Sequence, residues 1–160
     1  MIILADDEIR ALLLERKDIP EGLCPITKMT ERHLHKRKNY ALVGESGNEF
    51  EIAIRQSTLN MMDFSVILGY RLPRLFRVFR LRRYNGSSHQ HTNTLEKQTL
   101  DGFHVHTATE RYQALPGFKE DHFAETATSY YNLESAVQGL LSECGFKSPL
   151  EESPLYTGQI

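Results

Sequence analysis

Between Tyr40 and Thr107 apolar residues fall at every second position in one short run after another, and the runs are separated by turn formers. No feature of the chain constrains its fold more, because a period of two is the signature of a half-buried strand. Tyr40 to Glu45 and Phe50 to Gln56 read as strands joined across Ser46-Gly47-Asn48, with Phe50, Ile52 and Ile54 on one face. Phe64, Val66, Leu68 and Tyr70 alternate in a third strand, Pro73 interrupts, and Leu75 to Tyr84 reads as a fourth. Asn85-Gly86 follows, a dipeptide suited to a type I′ hairpin because both central residues need positive φ. A fifth strand, Ser87 to Thr92, is expected to return antiparallel, and Gly102 to Thr107 reads as a sixth.

Helical patterns flank this region. Ile9, Leu12 and Leu13 form an apolar stripe that Asp6 or Asp7 can cap and that Pro20 and Gly22 are expected to end. Near the other end, Asn132 suits an N-cap. Leu133, Ala136, Val137, Leu140, Leu141 and Cys144 form a helical stripe, and Gly145 a C-terminal stop. The expected fold is α+β, a mostly antiparallel sheet of about five to six strands with an N-terminal and a C-terminal helix packed on one face. A single domain is expected over residues 1–146, with 147–160 as a loose tail. Residues 108–131 show no clear period; Pro116-Gly117 marks a turn within them.

At 160 residues, 40% apolar and 25% charged, the chain has the composition of an ordinary soluble domain. Met1 to Ala5 are apolar but run straight into Asp6, Asp7 and Glu8, which argues against a secretory signal. No apolar run approaches the ~18 residues of a membrane span. Cys24 and Cys144 have no metal-type spacing. These features favour a cytoplasmic protein with free thiols and no membrane partner.

The charge is uneven. Residues 1–95 hold fifteen Lys and Arg against eleven Asp and Glu, and Arg71 to Arg83 carries six arginines and no acid. Such a patch suits RNA or single-stranded nucleic acid, although arginines interspersed with Leu75, Phe76, Val78 and Phe79 also protect a strand edge.

Six of the seven histidines form His-x-His pairs: His33/His35, His89/His91 and His104/His106. In a strand each pair points to one side. A two-residue loop at Asn85-Gly86 would set Arg82 opposite His89 and Arg80 opposite His91. If the sixth strand pairs with the fifth, His91 faces His104 and His89 faces His106. One sheet face would then carry Arg80, Arg82, Tyr84, His89, His91, His104 and His106, with Phe79, Leu81, Phe103 and Val105 behind it. Arg77 and Arg83 would lie at the edges of that apolar side.

Such a face suits three chemistries. In metal-free phosphodiester cleavage, histidines act as base and acid while Arg77, Arg80, Arg82, Arg83 and Tyr84 hold the phosphate. Arg111 and Tyr112 follow closely enough to reach the same pocket, although a salt bridge and a half-buried ring explain them as well. The second chemistry is a site for Zn²⁺ or another divalent transition metal on His89, His91, His104 and His106, with Glu96, Asp101 or Glu110 offsetting the arginines. The third is plain binding of an anion or a single strand, with Tyr84 stacking. A polar strand face carrying His, Thr and Arg without any function is the bland alternative. His33/His35 sits beside Lys36-Arg37-Lys38 and reads as a solvated face. His122 reads as structural or exposed, and Asn93 as a turn residue that could orient a ligand.

Arg83-Tyr84-Asn85, then His89, then His104-Val105-His106, resembles the TumE-type toxin family of toxin–antitoxin modules. The resemblance covers about Arg80 to Tyr112. In place of that family's Asp-Asn-x-Pro-His-His turn stands Asn85-Gly86-Ser87-Ser88-His89. The resemblance implies a small nuclease without a cofactor and an antitoxin partner; a homodimer is a further expectation. His89-x-His91 followed by Glu96 is also similar to part of the first cupin motif, which implies a bound transition metal.

Overall fold

The structure, a computed structural model, describes residues 3–147. The acidic start of the chain forms α1 (Asp6–Leu14), with Asp6, Asp7 and Glu8 in its first turn, where negative charge complements the helix dipole. The N-cap is Ala5 rather than Asp6 or Asp7, and its N–H donates to Glu8 Oε2 at 2.8 Å. The helix stops well before Pro20 and Gly22. The reason is Lys17, whose Nζ donates to the carbonyls of Leu12, Leu13 and Glu15 and to that of Cys144. Lys17 thereby closes the helix C-terminus and starts β1 (Lys17–Asp18), which runs parallel to β11 (Phe146–Lys147).

The main sheet consists of β2 (Thr30–Arg32), β3 (His35–Val43), β4 (Glu49–Ser57), β5 (Phe64–Arg71), β6 (Val78–Asn85), β9 (His104–Thr107) and β10 (Ala124–Thr126). Its order is β10-β9-β6-β5-β4-β3-β2, and every neighbouring pair is antiparallel. β7 (His91–Asn93) and β8 (Gln98–Leu100) form a separate two-stranded ribbon. α2 (Glu110–Gln113) and α3 (Leu133–Glu143) complete the described elements. The α+β, mostly antiparallel character follows the sequence. Seven strands in the main sheet exceed the expected five to six.

Registers place Tyr40, Ile52 and Leu68 in one row and Ile54, Val66 and Tyr84 in the next. These residues share one core cluster with Ile9 and Leu13 of α1 and with Leu133, Ala136, Val137 and Leu140 of α3. Asn132 caps α3 through Ser135 N–H at 2.8 Å, and Gly145 takes the left-handed φ of 75° just beyond it. Lys147 pairs with Asp18 in β11. The rest of the expected tail lies outside the described residues.

The expected hairpin at Asn85-Gly86 does not form. β6 runs through Asn85, which pairs with Ser65 on one side and His104 on the other. Gly86 N–H continues the ladder to Phe64 O at 3.0 Å. Gly86 is required for close approach rather than for a turn, since a Cβ there would lie 1.9 Å from Met62 O. A hairpin of the I′ kind forms at His33-Leu34, with φ of 50° and 66°, between paired Arg32 and His35. Hence His33 and His35 straddle a turn end rather than sharing a strand face.

Two further differences matter for the site. The strand after Pro73 begins at Val78 rather than Leu75, because Leu72 N–H bonds Arg77 O and Arg74 turns left-handed at φ 64°. Between Leu68/Gly69 of β5 and Arg82/Arg80 of β6 a bulge leaves Leu81 as the extra residue. A bulge of one residue reverses the alternation of faces along β6.

Candidate functional site: a histidine cleft beside Arg83

His104 and His106 project from β9 on the side away from Tyr84 and Val105, where Asn85 and Arg83 are their direct neighbours across the ladder. Both rings are buried. His104 Nδ1–H donates to Gly102 O at 2.9 Å and His106 Nδ1–H to Asp121 O at 2.8 Å. Each therefore keeps Nε2 as its free lone pair. That of His104 faces Asn85 Nδ2 at 3.4 Å.

His91 arrives from the ribbon. Its Nε2 lies 3.1 Å from Asn93 Oδ1. The Asn93 amide is fixed by β10, since its oxygen accepts Ala124 N–H at 2.9 Å and its Nδ2 donates to Ala124 O at 2.7 Å. The oxygen can only accept, so His91 carries its hydrogen on Nε2. The ring centroid of His91 lies 4.5 Å from that of His106, 5.0 Å from that of His122 and 5.7 Å from that of His104. His89 stands 5.5 Å from His104. Five imidazoles thus meet, four from the expected pairs and His122 in addition.

A cleft of about 360 Å³ opens among Arg83, His89, His91, His106, Lys119, Asp121 and His122. Cavities of similar size lie elsewhere, such as one beside Arg77 and the 113–118 loop, but histidines do not line them. Burial lowers the pKa of His106 to about 2, with Arg83, His91 and His104 acting in the same direction. Burial also lowers His104 and His91, helped by Arg83 and neighbouring imidazoles. The main-chain carbonyl of Gly102 opposes the shift at His104; Asn93 and the His122 main chain oppose it at His91. All three shifts favour the neutral ring. The cations at the cleft are Arg83, held by Asp121 Oδ2 at 2.9 Å, and Lys119. Asp121 is fully buried, yet its Oδ1 has no hydrogen-bond partner, and neither has Asn85 Oδ1.

Several expected members are elsewhere. None of the pairings Arg82–His89, Arg80–His91, His91–His104 or His89–His106 exists; Arg82 pairs with Thr107 and His91 with Leu100. Arg82 and Tyr84 lie on the core side and both reach Glu143, at 3.3 and 2.9 Å, so Tyr84 cannot stack on a ligand in the cleft. Arg77 is bound to Glu120 at 2.9 Å. Arg80 donates its main-chain N–H to the same carboxylate at 3.0 Å and lies close enough to Arg83 to depress its pKa, after burial and against Asp121. Arg111 and Tyr112 close on Glu96 at 2.5 and 2.6 Å. Only Tyr112 touches the cluster, 4.8 Å from His122.

Glu96 is therefore engaged away from the imidazoles. Among the described residues no group of three or more His, Cys, Asp or Glu side chains is placed to hold a metal ion. The arrangement does not fit the expected transition-metal site. His122, Asp121 and Lys119 were not legible because 108–131 carries no period; the one signal there, Pro116-Gly117, marks the turn at Gly117, φ 87°, just before them.

No protein-family model matches the chain, and no curated protein or solved structure is similar to it at a significant level. No helix among the described residues is long and apolar enough to cross a membrane.

Proposed function

We propose that the protein is a metal-independent phosphodiesterase that binds a single nucleic-acid strand and cleaves it at the histidine cleft. The observation that carries this reading is buried His106, the cross-strand neighbour of Arg83 at the cleft, whose Nδ1–H is held by Asp121 O and whose lowered pKa keeps Nε2 an unprotonated acceptor. Neutral imidazole accepts a proton from an attacking hydroxyl or water, and imidazolium formed beside a bound phosphate returns one to the leaving oxygen. Arg83 and Lys119 would hold the non-bridging oxygens, where negative charge develops.

The phosphate contacts are fewer than the arginine-rich strand suggests, since Arg77 and Arg82 are spent on Glu120 and Glu143. With two to three phosphates neutralised, the log–log salt slope of binding is about −1.4 to −2.1. Of the toxin-like pattern, Arg83, His89 and His106 line this cleft, His104 packs against both histidines and Asn85 against His104, while Tyr84 lies on the core side; this partial match supports a toxin-like role with a small antitoxin as partner, and a second copy of the chain is the other partner to test.

The test is incubation of the purified chain with a labelled oligonucleotide in the presence of a chelator. Cleavage that disappears in H91A supports the reading. Salt-dependent binding without cleavage reduces the protein to a binding module. Neither binding nor cleavage overturns it.

A further inference from the structure

The fully buried Asp121 spends one carboxylate oxygen, Oδ2, on Arg83 Nε–H and its main-chain carbonyl on His106 Nδ1–H. Its second oxygen, Oδ1, is buried with no hydrogen-bond partner, although the residue forms part of the cleft wall. A buried acceptor left unpaired bears the full desolvation cost of that atom. An unfilled acceptor in a ligand cleft is a place where a ligand's donor can gain more than it would elsewhere.

Resting on the phosphodiester reading above, we infer that Asp121 Oδ1 accepts a hydrogen bond from the ribose 2′-hydroxyl, which makes the cleft selective for RNA over DNA. The chemistry of the strand identifies the donor. Asp121 holds the guanidinium that takes the phosphate, so the group meeting Oδ1 sits next to that phosphate. A phosphate oxygen is excluded, because a carboxylate repels it. Along a nucleic-acid strand the donor on the carbon adjoining the 3′-phosphate is the 2′-hydroxyl, and DNA lacks it. A cleft built to bond a hydroxyl rejects the analogue without one, because its own buried acceptor then stays unpaired. Oδ1 is itself buried, so the contact requires the cleft wall around Asp121 to shift when the ligand binds.

The experiment titrates the full chain with three probes: inorganic phosphate, uridine 3′-monophosphate and 2′-deoxyuridine 3′-monophosphate. Histidine ring NMR signals and calorimetry follow binding to wild type and D121N. The wild type is expected to bind the ribonucleotide at least about 10-fold more tightly than the deoxy form. D121N keeps the side-chain shape and is expected to bring that ratio within about 2-fold. A purely structural role for Asp121 would move both affinities together and leave the ratio alone. Equal affinities in the wild type overturn the inference while phosphate binding upholds the phosphodiester reading. A ratio that persists in D121N assigns selectivity elsewhere and also overturns it. Failure of all three probes to shift any histidine overturns both readings. If D121N does not fold, the wild-type ratio decides: about 10-fold or more supports the hydroxyl contact and equality refutes it.

Discussion

Lowering the pH from about 7 to about 5 reads the histidine cluster through stability alone. His106 is 2% exposed, and its pKa lies at about 2 in the fold against 6.5 for an ordinary imidazole. A depressed pKa means that the fold binds the proton less readily than the unfolded chain does. The contribution of His106 is therefore complete above pH 6.5 and is lost progressively as the pH falls from there toward 2. Each pH unit in that window costs about 1.4 kcal/mol for one histidine, so the step from 6.5 to 5 removes about 2 kcal/mol. His104 and His91 are shifted in the same direction and steepen the slope. Against a total stability of about 5–15 kcal/mol for a domain this is a large loss. Urea unfolding at several pH values between 7.5 and 5 measures it. H106Q starts from lower stability, and its slope should be shallower than that of the wild type by about 1.4 kcal/mol per pH unit. Wild-type stability that stays level between pH 6.5 and 5 would refute the reasoning, as would identical slopes for the two proteins.

Other outcomes follow from single contacts. K17M strips a buried ammonium from four main-chain carbonyls at the ends of α1 and α3 and should cost about 3–5 kcal/mol in urea unfolding. Y130F removes a buried hydroxyl that lies 2.7 Å from Asn85 O and 2.9 Å from His104 O, where β6 meets β9; calorimetry should show a loss of about 1–3 kcal/mol. R83Q should lower cleavage about 100-fold or more in an oligonucleotide assay. It should also reduce stability, because the buried Asp121 loses its cation. R111Q, whose side chain is partly exposed, should change stability by less than about 1 kcal/mol.

The parts of the site that were legible in the sequence are those whose geometry lies within one strand. His104 and His106 are two residues apart, so they share a face whatever strand lies beside them. The apolar rows of β4 and β5 and the stripe of α3 were legible for the same reason. Cross-strand neighbours depend on register, and the register expected at Asn85-Gly86 rested on reading a glycine as a turn former. The chain uses that glycine to let β6 pass close to Met62, and it makes its left-handed turn at His33-Leu34, which carry no such signal. The bulge at Leu81 adds a second reversal. Between them, these two changes exchange the roles of adjacent arginines: Arg82 turns toward Glu143 and Arg83 toward the cleft. His89 and His91 still reach His104 and His106, but through a ribbon that folds over the sheet and is tied to β10 by Asn93. Asp121 and His122 come from a loop with no periodicity, so only tertiary packing could place them. Yet this loop-borne Asp121 fixes the Arg83 guanidinium with one carboxylate oxygen and the tautomer of His106 with its main-chain carbonyl.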